Sequence, residues 1–181
     1  IFVYDTRKDS DGGAWRHRTQ DLSWYNEGAN TLRGARKEFP TVAVLVLQSL
    51  KLTIYDGDDP NLPMWMVLNE GGSSRMLYSS SGADFSGAIS ALNGNIYYGM
   101  TGNGMLGIIE FVRDSSFKHR NNNRTNRGRW RGTIADRNLA LGWFTENDIN
   151  LAGEEVFDIA TTVLPNAPIQ TSTGLPVPTI A

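Results

Sequence analysis

The chain has 181 residues, which is enough for one domain with a sizeable core. It carries 40% hydrophobic and 20% charged residues and a net charge of −2, so its composition gives no general attraction to nucleic acid or to an acidic membrane surface. It has no cysteine, which excludes disulfide scaffolds, cysteine-ligated zinc and thiol catalysis.

Two further classes of site are not expected. No apolar run approaches the ~20 residues of a membrane span, so we expect no membrane insertion. His17 and His119 lie far apart in sequence, so we expect no His-ligated metal site and no cofactor.

The first part of the chain reads as short strands separated by polar turns. Residues 1–4 predict a strand, and the Asp- and Gly-rich residues 5–13 predict a turn. Residues 15–18 and 22–25 predict two further strands.

The next part contains the best helical candidate, at residues 31–37. Residues 41–47 are apolar throughout and predict a strand that is buried on both faces. Residues 52–55 and 64–68 predict two more strands, and residues 56–60 predict the sharp turn between them.

A hairpin is predicted over residues 90–98, where Asn93 and Gly94 supply the positive φ of a type I′ turn. Residues 105–112 predict the next strand. Residues 113–129 predict a long, polar and basic loop.

The last part predicts strands at residues 130–135, 142–144 and 156–164, followed by a tail that several prolines interrupt. Because both ends of the chain read as parts of strands, we expect residues 1–181 to be a partial domain, cut from a longer polypeptide.

One pattern occurs three times: an apolar strand that ends in Asp, a turn, and a strand that carries Trp. The pairs are Asp5 and Trp15, Asp56 and Trp65, and Asp114 and Trp130. Units built only of strands that recur every ~40 to 58 residues are typical of β-propeller blades. We therefore predict an all-β, β-propeller-like fold with about three four-stranded blades of a larger propeller. A β-sandwich is the alternative.

The aromatic residues divide into two groups. Trp15, Trp65 and Trp130 recur at equivalent positions, which indicates core packing. The second group falls outside the repeat, and its members are the better candidates for stacking on a sugar. These residues are Trp24, Tyr25 and Trp143.

The basic residues of the segment 113–131 form the second candidate binding group. The candidate ligands for phosphate or anionic polysaccharide are Arg120, Arg124, Arg127 and Arg129. The alternative is a polar surface loop that docks on an acidic neighbouring subunit, and the acidic balance of the rest of the chain favours it.

Two acidic turns are candidate sites. Residues 56–60 could ligate calcium, but they lack the distal Glu of a calcium loop, so a solvated turn is the favoured interpretation. Residues 9–15 are similar to the Asp-box turn of sialidase-like propellers, in which a carboxylate caps turn amides as a folding element. No catalytic residue and no metal ligand are predicted.

Several segments of the chain resemble virion structural proteins of marine tailed bacteriophages, of the tail-fibre or appendage type. These segments are residues 3–16, 23–27, 38–40, 53–60, 62–66, 162–169 and 173–181. In that family a propeller-like region precedes lectin-like domains, and no catalytic residues are assigned.

The resemblance implies a structural component of a phage virion, in a tail fibre or tail appendage, that serves assembly and host-surface attachment and is not an enzyme. The implied partners are other virion tail proteins, copies of the same chain, and a host-surface glycan. The implied location is the virion, after assembly in the host cytoplasm. A carbohydrate-binding module or a sialidase-like glycan hydrolase of propeller type is the alternative.

Overall fold

A computed structural model describes residues 1–48, 51–69, 85–100, 105–120, 128–130, 143–145 and 156–181. Within these residues the chain forms fourteen strands, two 3-10 helices and one short α-helix, α1 (Ser23–Asn26). The prediction of an all-β fold is therefore confirmed. No helix among these residues is long and apolar enough to cross a membrane.

The first sheet is an antiparallel meander whose strands lie in chain order. Its strands are β1 (Phe2–Asp5), β2 (Val42–Gln48), β3 (Lys51–Asp56) and β4 (Met64–Asn69). Strand β2 was predicted to be buried on both faces, and this is wrong. Ala43 and Leu45 are buried, whereas the alternate residues Val42, Val44 and Val46 are only half-buried, because β2 packs on the core through one face.

The second sheet is a longer antiparallel meander. Its strands are β5 (Phe85–Leu92), β6 (Asn95–Met100), β7 (Met105–Glu110), β8 (Ser115–Arg120), β9 (Gly128–Trp130) and β10 (Trp143–Thr145). The predicted hairpin turn is confirmed, with φ of 54° at Asn93 and 74° at Gly94. The predicted loop 113–129 is corrected, because β8 and the start of β9 lie inside it.

A close cross-strand contact holds β6 against β7. Gly107 stands directly opposite Tyr98. A Cβ on Gly107 would collide with the Tyr98 ring, so the ring occupies the space that any other side chain would need.

The C-terminal segment, residues 156–181, adds two small sheets. Strands β11 (Thr161–Thr162) and β14 (Thr179–Ile180) pair with each other, as do β12 (Ile169–Gln170) and β13 (Leu175–Pro176). The strand predicted over residues 156–164 is therefore reduced to two residues.

Three other local predictions for the first forty residues are wrong. Residues 15–18 lie in a 3-10 helix, Ala14–Arg18, instead of a strand. Residues 23–25 lie in α1 instead of a strand, and Leu22 directly precedes this helix. Residues 31–37 form no helix, because this stretch folds around the buried side chain of Arg33.

Both sheets contribute to one core, which has an aromatic centre. The ring of Phe39 lies 5.3 Å from Trp15, 4.9 Å from Trp65 and 4.9 Å from Phe111, measured between ring centroids. Trp15 and Trp65 are fully buried, so their predicted core role is confirmed. Trp130 lies in β9, and its side chain is outside the described part.

Candidate functional site

Three of the predicted binding residues lie on neighbouring strands of the second sheet. Arg129 in β9 stands opposite Phe117 of β8 on one side and Phe144 of β10 on the other. Trp143 of β10 stands opposite Trp130 of β9. Arg120 ends β8, opposite Met105 of β7. We call strands β8, β9 and β10 the basic-aromatic edge.

The charge of this region differs from that of the rest of the chain. Residues 113–131 contain seven Arg or Lys and one Asp, a net charge of +6. The other residues contain ten Arg or Lys and eighteen Asp or Glu, a net charge of −8. The positive charge is therefore concentrated in residues 113–131 and the negative charge in the rest of the chain, although the total charge is only −2.

Arg113 begins this basic segment and is held by the fold. Its Nη1 lies 3.2 Å from Oε1 of Glu110, and its guanidinium carbon lies 5.5 Å from the centroid of the Phe117 ring. Ser115 donates a second hydrogen bond to the same Glu110 carboxylate. These contacts fix the turn between β7 and β8.

Two predicted residues of the same segment, Arg124 and Arg127, lie outside the described residues. The sequence missed the partners of Arg129, because β8 was predicted to be loop. The alternating Phe117 and His119 were the available signal for a strand there.

The structure corrects the prediction for Trp24. This residue is 0% exposed, so it cannot stack on a sugar. Its Nε1 donates a hydrogen bond of 2.8 Å to the carbonyl of Phe111, and its ring lies 5.5 Å from that of Trp65. Tyr25 is half-buried with its ring 5.9 Å from Trp24, so both residues serve the packing of α1.

The acidic turn 56–60 uses its carboxylates within the fold. Nη1 of Arg36 donates to Asp56 at 2.7 Å, and Asp58 accepts from the amides of Thr41 and Val42. Burial acts to raise the pKa of Asp58, but these hydrogen bonds hold it below its usual value. In the described part of the chain, no group of three or more His, Asp or Glu residues is placed to hold a metal ion.

A buried carboxylate joins segments that are distant in sequence. Oδ2 of Asp9 accepts hydrogen bonds of 2.6 Å from the Tyr4 hydroxyl and 2.6 Å from Trp15 Nε1. Its Oδ1 accepts one of 2.8 Å from the backbone amide of Asn93, at the tip of the β5–β6 hairpin. Burial raises the pKa of Asp9 above its usual value, although these hydrogen bonds act in the opposite direction.

The same contacts extend to the C-terminal segment. Asn93 accepts from the amide of Ser10 at 2.9 Å and donates to the carbonyl of Pro176 at 3.0 Å. The turn that resembles an Asp-box is therefore a folding element: Asp11 accepts from the amide of Gly13 at 3.1 Å.

A sialidase-like reaction needs a tyrosine nucleophile and a cluster of arginines, and the tyrosine and arginines near the N-terminus named next already bind other groups of the fold. Tyr4 is buried, and its hydroxyl is bonded to Asp9 and to the amide of Gly94. Arg7 pairs with Asp5 and Arg18 pairs with Asp11. Arg16 donates to the carbonyl of Phe39.

A buried cation organises the loop between α1 and β2. The guanidinium of Arg33 is almost completely buried and donates to the backbone carbonyls of Arg36, Lys37 and Trp65 at 2.7, 2.8 and 3.0 Å. It also lies 4.4 Å from the centroid of the Trp65 ring. Burial lowers the pKa of Arg33 to about 10, so the group stays protonated at neutral pH.

Comparison with protein-family models, with curated proteins and with solved structures found no match for this chain.

Proposed function

We propose that this chain is a structural and interaction component of a phage virion, part of a tail fibre or tail appendage that serves assembly and host-surface attachment. The observation that carries the proposal is the way the fold uses its buried polar groups. The buried side chains of Asp9, Asp56 and Arg33 each bind backbone groups. Such an arrangement makes the fold rigid, as display on a particle requires.

The resemblance of residues 3–16, 53–60 and 62–66 to tail-fibre and appendage proteins supports the same role. The partners in this proposal are other virion tail proteins and copies of the chain. The location is the virion, after assembly in the host cytoplasm.

Mass spectrometry of density-purified phage particles tests the proposal, together with immunogold electron microscopy. We expect peptides of this chain in the particles and gold label on the tail or its appendages. Peptides that are abundant in the infected-cell lysate but absent from the particles would contradict the proposal.

We also propose that the first sheet is one blade of a β-propeller. Its four antiparallel strands follow chain order from β1 to β4, which is the topology of a blade. The packing of two sheets on one core also suits the sandwich alternative. A cryo-electron microscopy map of the assembled particle distinguishes them: blades around a central channel support the propeller, and two facing sheets contradict it.

A second candidate function is carbohydrate binding, and the basic-aromatic edge favours it. The hydrolase version has less support, because Tyr4 and Asp9 are buried and bonded to each other. Measurement of reducing ends released from polysaccharides checks for turnover, and we expect none.

A further inference from the structure

The turn between β5 and β6 contains a chemically reactive pair of residues, Asn93 and Gly94. In an unfolded chain, an asparagine that precedes glycine loses ammonia spontaneously, because glycine has no side chain to shield its main-chain nitrogen from the asparagine side chain. The nitrogen of Gly94 forms a bond to Cγ of Asn93 while the bond from Cγ to Nδ2 breaks. The proton from the Gly94 nitrogen leaves with the ammonia, and water then opens the cyclic imide to aspartate or isoaspartate.

The fold occupies both partners of this reaction. The amide of Gly94, which has to lose its proton, donates a hydrogen bond of 2.8 Å to the buried hydroxyl of Tyr4. Oδ1 of Asn93 accepts from the amide of Ser10 at 2.9 Å, and Nδ2, the leaving group, donates to the carbonyl of Pro176 at 3.0 Å. Asn93 is 2% exposed, so water and base are kept from its Cγ. The reaction therefore requires that these contacts open.

One of the protecting contacts comes from the C-terminal segment, residues 156–181. The strands of this segment form two small sheets of their own. Residues 159–181 carry no charged side chain, so no side-chain ion pair holds this stretch, and its attachment depends on the burial of Leu175 and Ile159 and on hydrogen bonds. Such an element opens at a lower free energy than the strands of the two large sheets.

We propose that Asn93 is a deamidation site whose reaction is controlled by the C-terminal segment. While the segment is docked, the side chain of Asn93 is bonded and shielded. When the segment is released, Nδ2 loses its acceptor, and water and base reach the turn.

The product cannot restore the docked contacts. A carboxylate at position 93 has no proton to donate, so two oxygen acceptors would face each other where Nδ2 now donates to Pro176. It would also place a negative charge beside Asp9, which accepts from the main-chain amide of Asn93 at 2.8 Å. Isoaspartate lengthens the main chain within a two-residue turn whose flanking residues, Leu92 and Asn95, are paired. Deamidation therefore makes release of the segment irreversible.

Peptide mass spectrometry of the full chain, incubated at mildly alkaline pH, tests the protection. We expect Asn93 to deamidate at least about tenfold more slowly in the folded chain than in the urea-unfolded chain, because the reaction proceeds from the opened state. The sequence contains a second Asn-Gly pair, Asn103 and Gly104, which gives a reference rate in the unfolded chain. Equal rates at Asn93 with and without urea would overturn the protection.

The dependence of this rate on urea, at concentrations below the unfolding transition, identifies which opening is required. Release of the segment exposes less surface than unfolding of the whole chain. We therefore expect the rate at Asn93 to rise less steeply with urea than the population of unfolded chain. A rise as steep as that of global unfolding would overturn control by the segment.

Asn93→Asp introduces the product directly and tests whether docking is lost. By hydrogen–deuterium exchange, we expect the amides of residues 156–181 to exchange about tenfold faster than in the wild type, since a buried carbonyl loses its donor. Asn166→Asp is the matched control: it makes the same change at an exposed asparagine of the segment and should leave the exchange unchanged.

Unchanged exchange in Asn93→Asp, or equal acceleration by both variants, would overturn the irreversible release. If Asn93→Asp does not fold, the two wild-type measurements still decide the control of the reaction by the segment. None of these measurements depends on the virion role, so either proposal can fail while the other stands.

Discussion

At the scale of single residues, Asp9 tests how much a buried carboxylate stabilises this fold. Asp9→Asn places an amide donor where Tyr4 and Trp15 both donate to Oδ2. We expect a loss of about 2–3 kcal/mol in the free energy of unfolding, since buried donors lose their acceptor. Urea denaturation measures this loss. Asp21→Asn is the control, because Asp21 is exposed, and we expect it to change the free energy of unfolding by less than about 0.5 kcal/mol.

The raised pKa of Asp9 gives this effect a pH dependence. Between about pH 4, where an unfolded aspartate ionises, and the raised pKa, the folded state binds more protons than the unfolded state. The contribution of Asp9 to stability is therefore full below this window and falls as pH rises through it. We expect the stability gap between the wild type and Asp9→Asn to be largest at acid pH, as measured by urea denaturation across the pH range. A gap that widens toward neutral pH would contradict the raised pKa.

Arg33 is the corresponding buried cation. Arg33→Lys keeps the charge but loses the planar fork that reaches the carbonyls of Arg36, Lys37 and Trp65 at once. We expect a loss of about 2–4 kcal/mol in the free energy of unfolding, measured by thermal and urea denaturation. The exposed Arg7→Lys serves as the control, and equal effects of the two changes would show that the carbonyl contacts are unimportant.

At the scale of elements, the β5–β6 hairpin is fixed by conformation and by packing together. Gly94 has φ of 74°, and a Cβ there would lie 2.6 Å from Cγ2 of Val112 and 3.2 Å from the Trp15 ring. Gly12 has φ of 65° but no atom within 4 Å of a built Cβ. Both positions carry the conformational cost of a left-handed residue, and only Gly94 adds a steric cost.

We therefore expect Gly94→Ala to destabilise the chain by about 2–4 kcal/mol and Gly12→Ala by about 1 kcal/mol. Urea denaturation of the two variants measures the difference. If the two losses were equal, the packing of the hairpin tip against Trp15 would contribute nothing.

The hairpin also shows which elements a local pattern can predict. Asn93 and Gly94 prefer positive φ in any context, so their turn could be read from the sequence. The residues of β8 are mostly polar, and the strand exists because its six residues pair with the whole of β7. Helix α1 carries aromatic residues that favour strands, but the burial of Trp24 against Phe111 overrides that preference.

At the scale of the whole molecule, the C-terminal segment is part of the fold. Leu175 is buried in the main core, and Ile159 packs on the second sheet. We expect Leu175→Ala to lower the free energy of unfolding by about 2–4 kcal/mol through lost burial and a cavity. Leu164→Ala is the control, because Leu164 is 51% exposed. Thermal denaturation compares the stabilities of the two variants. Equal melting temperatures would mean that the segment is only loosely attached.

The sequence by itself determined the all-β class, the Asn93-Gly94 turn, and the core role of Trp15 and Trp65. Each follows from composition, from local backbone preference or from a regular spacing of large apolar residues. The tertiary structure alone decided that Asp9 meets Asn93, that Arg33 is buried, and that Arg129 stands between Phe117 and Phe144. These contacts join residues that are distant along the chain or depend on strand register, and no local pattern of residues encodes either one.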